Sequence, residues 1–117
     1  MIQDNILLVD DEQNLLDSLK RQLRSHFAVI TALGPEEGLA AIADKGPFSV
    51  IVSDLRMPGM DGIEFLAKAS VQSPDSVRIM LTGNADLNNA IKAGNERTVY
   101  CVRTNPFSPR LLTGRLE

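Results

Sequence analysis

Cysteine is nearly absent from this 117-residue chain, with Cys101 the only one, so no internal disulfide can form and no cysteine-based metal framework can be assembled. Tryptophan is missing and histidine occurs once, at His26. A histidine-rich metal centre and a histidine-based nucleophilic triad therefore have little to be built from, and His26, in the turn-like stretch "RSHF", is expected at the surface. No apolar run approaches the ~20 residues needed to cross a bilayer. The start, "MIQDN", lacks the basic residues and long apolar stretch of a signal peptide. Positive charge does not dominate either: 12 Lys+Arg stand against 15 Asp+Glu, a net charge of −3. That balance argues against general attraction to nucleic acid or anionic membrane. The densest basic stretch, Lys20, Arg21 and Arg24, falls on a helix-like segment and reads as a solvated face. A single soluble cytoplasmic domain is expected, and at 44% apolar residues it has material for a core without covalent staples.

What the chain does have is alternation. Short apolar runs rich in branched residues are followed by longer segments of helical period, the pattern of βα units and a parallel sheet. Ile6–Val9 is a strand, and Leu15, Leu16, Leu19 and Leu23 form the stripe of a helix behind it. Phe27–Ala32 is a second strand. Pro35 then suits a first helical position, Glu36 and Glu37 favour the helix dipole, and Leu39 and Ile42 mark the inner face. Phe48–Asp54 is almost wholly apolar up to its final acid, as expected of a central strand covered on both sides. Pro58, Gly59 and Gly62 interrupt "LRMPGMDG" as a loop, with Asp61 placed to cap the helix "IEFLAKAS". "SVRIMLTG" supplies a fourth strand ending at Thr82, "ADLNNAIKAG" a weaker and more mobile helix, and Thr98–Val102 a fifth strand. Ser108 and Pro109 open a fifth helix that the end at Glu117 cuts short, as expected of the N-terminal part of a longer protein.

Ligands of open parallel sheets bind beyond the carboxyl ends of the strands. If strands one, three, four and five are central neighbours, those ends present Asp10 and Asp11, then Asp54, then Thr82, then Thr104, Asn105 and Pro106. Adjacent carboxylates raise one another's pKa unless something positive offsets them, so a cation is expected. Three carboxylates and a hydroxyl make a hard oxygen site that suits Mg2+ better than zinc. An Asp beside such an ion can act as a nucleophile toward phosphorus. The blander possibility is that these acids cap helices. Neither "GPEEG" nor "GNADLN" matches a phosphate-cradling glycine loop, so nucleotide binding has little support. Cys101 reads as a small buried hydrophobe, and Met57 and Met60 as packing for the loop.

Four motifs in order, "LLVDDE", "DLRMPGMDG", "MLTG" and "TNPF", resemble the receiver domain of two-component response regulators over essentially the whole of residues 1–117. The resemblance implies an α/β, flavodoxin-like, doubly wound five-stranded parallel sheet of order 2-1-3-4-5 with helices on both faces. It implies Asp54 as the phosphoacceptor, Asp11 and Asp54 as Mg2+ ligands with the Arg56 backbone carbonyl, Asp10 acting through a metal-bound water, and Thr82 as the switch hydroxyl. It also implies a sensor histidine kinase or phosphotransfer protein as phosphodonor, and an output domain or partner reached through the helix 4, strand 5, helix 5 face. The chain departs from the family twice. Asn105 stands where the family has a lysine, leaving the phosphorylated site with less positive charge, and Val102 stands where it has a switching aromatic, with Tyr100 two residues earlier on the same strand face. These departures keep open an atypical or pseudo-receiver acting as a protein interaction module. A Mg2+-dependent phosphohydrolase is disfavoured, because Asp54 is followed by Leu55 and Arg56 rather than by the second acid of D-x-D-x-[TV]. "LTGNADLNNAIKAGNE" with "VYCVRTNPF" resembles receivers joined to cyclic-dinucleotide phosphodiesterase or other enzymatic outputs.

Overall fold

A computed structural model describes residues 4–82 and 99–103, with Thr82 and residues 99–103 described by their backbone. The elements run β1 (Asn5–Asp10), α1 (Gln13–Leu23), β2 (Ala28–Leu33), α2 (Pro35–Lys45), β3 (Val50–Asp54), α3 (Gly62–Gln72), β4 (Val77–Thr82) and β5 (Val99–Arg103). All four strand pairings are parallel, in the order β2-β1-β3-β4-β5. The parallel sheet expected from the βα alternation is therefore present, in the doubly wound strand order that the family resemblance implies, with element ends displaced by a residue or two. The fourth and fifth helices, and Asn105, lie outside the described residues.

Strand alternation divides the core in two. Ile6 and Leu8 of β1, Val50 and Val52 of β3, and Ile79 and Leu81 of β4 meet Leu16, Leu19 and Leu23 of α1 on one face. Leu7, Val9, Ile51 and Met80 meet Ile42 of α2 and Phe65, Leu66 and Ala69 of α3 on the other. The predicted α1 stripe is the buried one, apart from a half-exposed Leu15. Each fully buried Leu in it contributes about 1.5–3 kcal/mol through removal from water. Lys20 and Arg21 of α1 and Arg24 just after it are exposed, and His26 is exposed with its ring edge-on to Phe27.

Two helix starts follow the local chemistry read from the sequence. Pro35 opens α2 with Glu36 and Glu37 in its first turn, after Gly34 takes a positive φ of 94°. Asp61 caps α3 by accepting the Glu64 N–H at 2.9 Å. At the amino-terminal end of the strands, the Ser76 hydroxyl donates to the Phe48 carbonyl, tying the entry of β4 to the entry of β3. Among the described residues, no helix is long and apolar enough to cross a membrane.

Candidate phosphorylation and metal site

The same alternation that builds the core sets the direction of the acids. Asp10 continues the Ile6, Leu8 series and Asp54 continues the Val50, Val52 series, so both carboxylates emerge on the α1 side at the carboxyl end of the sheet. Because β1 and β3 are hydrogen-bonded neighbours, with Val9 opposite Ser53, the two strand ends arrive together. Asp10, Asp11 and Asp54 each place a carboxylate oxygen so that all three lie within 4.8 Å of one another. Asp10 is buried, Asp54 half-buried and Asp11 exposed, so the cluster grades from core to solvent.

Helix capping does not account for these acids. The cap position of α1 is Glu12, whose side chain makes no capping bond. Asp10 instead reaches forward, its Oδ1 accepting the Glu12 N–H at 2.9 Å. The carboxyl of Asp10 is pushed up to about 7, chiefly by burial, then by the charges of Asp54 and Asp11, against the lowering effect of the Glu12 N–H. Mutual repulsion of neighbouring acids, expected from their adjacency in the sequence, contributes to this shift. Burial at the end of a central strand is the larger cause.

A loop of unusual construction forms the remaining wall. Leu55 and Met57 are buried in the core on the α3 side, and Arg56 between them is exposed. Gly59 supplies a positive φ of 85°, and the Gly62 N–H returns to the Leu55 carbonyl at 2.7 Å. Met57 and the half-buried Met60 both pack against the core, as their positions suggested. A cleft of about 390 Å³ opens between Asp11, Arg56, Met57, Pro58 and Asp61. The oxygen-only donor set, close-set and partly buried, fits a hard divalent cation such as Mg2+.

Two features of this site were not legible in advance. The Ser53 hydroxyl donates to the Asp54 carbonyl at 2.9 Å, and Gly62 lies so close to the same carbonyl that a Cβ there would stand 2.2 Å from its oxygen. The first resembles any small residue in a buried strand; the second resembles any loop glycine. The Thr82 backbone ends β4 next to β3, as expected, while its hydroxyl, like Asn105 and the side chains of Tyr100 and Val102, lies outside the described residues.

Residues 6–117 match the family model described as the response regulator receiver domain. The chain belongs to that family. This receiver domain is 37% identical over 107 residues to the hydrogenase transcriptional regulatory protein HoxA of Cupriavidus necator, covering 92% of this chain and 22% of that one. It is 34% identical over 91 residues to the C4-dicarboxylate transport regulator DctD of Pseudomonas aeruginosa, covering 78% of this chain and 20% of that one. The receiver thus spans about a fifth of the length of these curated relatives. Among solved structures, it matches one described as adenylate cyclase from Rhodopirellula baltica at 44% identity and a TM-score of 0.88, covering 98% of this chain and 85% of that one. A response regulator receiver domain protein from Clostridium thermocellum matches at 31% identity and a TM-score of 0.85, covering 94% and 88%. The receiver family is a signalling family rather than one of metabolic enzymes.

Proposed function

We propose that this receiver accepts a phosphoryl group on Asp54, in a Mg2+-dependent reaction, from the phosphohistidine of a sensor histidine kinase or phosphotransfer protein, and thereby switches an output surface. The observation that carries the reading is the set of three carboxylates with oxygens within 4.8 Å of one another at the carboxyl edge of the sheet, Asp54 among them half-buried. In the proposed step an Asp54 carboxylate oxygen attacks phosphorus. A new O–P bond forms as the donor N–P bond breaks, and the imidazole leaves with the electron pair and regains its proton from water. Mg2+, when bound, supplies neutralisation of the charge spread over the phosphoryl oxygens. Asp11, Asp54 and the Arg56 carbonyl would hold it, with Asp10 orienting a bound water. Asp10 and Glu12 are already linked, so the first of these acids needs no rearrangement to stay oriented. The Thr82 hydroxyl would then hydrogen-bond a phosphoryl oxygen, and the helix 4, strand 5, helix 5 face would carry the change to an output domain or partner.

Incubation of the protein with Mg2+ and acetyl phosphate is expected to add the mass of one phosphoryl group, and Asp54→Asn is expected to abolish the gain. Intact folding and metal binding with no mass gain in the wild type would instead favour an interaction module that does not use phosphorylation, the alternative to which Asn105 and Val102 point. Transcriptional regulators and an adenylate cyclase both occur among the matched proteins, so one fold serves unlike outputs.

Asn105 carries a consequence of its own. By the family resemblance, the lysine expected at that position would bring one positive charge toward three carboxylates, whereas an amide donates a hydrogen bond without charge. Compensation then falls on Mg2+, and the rise in thermal midpoint between EDTA and Mg2+ is expected to be larger in the wild type than in Asn105→Lys. Equal rises would remove the charge argument.

A further inference from the structure

We propose that Ser53 is a positioning residue for phosphoryl transfer, its hydroxyl setting the orientation of the peptide unit that follows the acceptor aspartate. The inference rests on Asp54 being the phosphoacceptor. It starts from a residue with no evident reason to be polar: Ser53 is 0% exposed, lies in the middle of the sheet opposite Val9 and Met80, and follows three buried aliphatic residues. A hydroxyl desolvated there has a cost unless it is hydrogen-bonded, and its partner is the carbonyl of the next residue, Asp54, at 2.9 Å.

That bond spans the torsion between the Asp54 Cα and its carbonyl carbon. The other end of the same peptide unit is also held, because the Leu55 N–H donates to the Leu81 carbonyl of β4 at 3.2 Å. Gly62 fills the space beside the Asp54 carbonyl, and the Gly62 N–H in turn holds the Leu55 carbonyl. The peptide after Asp54 is thus fixed through its oxygen by Ser53 and through its nitrogen by the residue that precedes Thr82. Its orientation determines where the chain leaves β3 and so where the Arg56 carbonyl stands relative to the Asp54 carboxylate. Ser53 points away from the α1 side on which that carboxylate lies, so it touches no reacting atom and acts only through the backbone.

The test uses single-turnover phosphorylation by acetyl phosphate, measured over a range of Mg2+ concentrations below the melting temperature of every variant. Ser53→Ala removes the hydroxyl, and Ser53→Thr and Ser53→Val form a pair of nearly equal volume that differ in it. The expected result is a fall in the rate constant at saturating Mg2+ of about five- to tenfold in the Ala and Val variants, with Thr within about twofold of wild type when compared at equal folded fraction. The proposal is overturned if all three variants phosphorylate at the wild-type rate, or if Thr and Val are slowed alike, since either result leaves only packing. Asp54→Asn run in parallel separates the two levels of argument: phosphorylation that survives it defeats the choice of acceptor, whereas a Ser53 result is interpreted only where Asp54→Asn is silent.

Discussion

Gly62→Ala is expected to destabilise the domain by about 3 kcal/mol or more, the upper end of what one added methyl group costs in a packed site. The added Cβ would stand 2.2 Å from the Asp54 carbonyl oxygen and 3.0 Å from both the Asp54 carbonyl carbon and the Leu55 Cα. All three are backbone atoms, so no side chain can turn aside to make room. Relief requires α3 to move away from the end of β3, and that movement breaks the 2.7 Å bond from the Gly62 N–H to the Leu55 carbonyl and lifts Phe65, Leu66 and Ala69 from the core. The same displacement disturbs the peptide unit after Asp54, so metal-dependent phosphorylation of the folded fraction is expected to fall as well. Urea denaturation gives the first quantity and acetyl phosphate labelling the second. Gly59→Ala is the informative contrast three residues earlier in the loop: its Cβ meets nothing within 4 Å, and its penalty comes from a φ of +85°, about 1–2 kcal/mol for an L-residue. Equal losses at the two positions would show that crowding against β3 is not what Gly62 avoids.

In EDTA, the wild-type domain is expected to lose stability as the pH is raised from about 4 to about 7, in the direction opposite to ordinary acid denaturation. The Asp10 carboxyl has a folded-state pKa of about 7 against 3.8 for an unperturbed Asp. Folding therefore favours the protonated form. The sign follows directly: the contribution is fully present below the unfolded value, declines as the unfolded chain ionises while the folded one does not, and is lost above the folded value. Three pH units of difference bound the loss at about 4 kcal/mol, spread over that window. Asp10→Asn removes the titration while keeping an Oδ1 to accept the Glu12 N–H. It is expected to flatten the pH profile and to leave the metal-free protein more stable than wild type near pH 8. Mg2+ is expected to stabilise the wild type most at high pH, where Asp10 is charged, and to do less for Asp10→Asn. Thermal midpoints across the pH range, with and without metal, measure all three. Parallel curves for the two proteins in EDTA would mean that Asp10 titrates alike folded and unfolded.

These two effects separate what one strand can encode from what requires several. The strands and helices described were legible from local pattern alone: the Leu16, Leu19, Leu23 stripe, the unbroken apolar run before Asp54, Pro35 at a helix start and Asp61 at another. Such features depend on residues within one or two turns of each other, so the linear chain contains them entire. The family was legible as well, because its motifs lie in short stretches whose order survives divergence elsewhere, and the family model covers residues 6–117. The candidate acids were legible for the same reason, since Asp10 and Asp54 each end an apolar run and Asp11 follows Asp10 directly.

What the sequence by itself determined is therefore the parts and their order: a βα alternation, an acid at the end of two central strands, and membership of the receiver family. Only the tertiary structure decided how those parts act on one another. Parallel pairing of β1 with β3 turns two distant acids into a cluster within 4.8 Å. Burial, more than mutual repulsion, raises Asp10. Ser53 and Gly62 acquire a role because both meet the Asp54 carbonyl, one through a hydroxyl and the other through the lack of a side chain. Desolvation and steric exclusion are properties of everything surrounding an atom, and those surroundings exist only after residues far apart in the chain have been brought together.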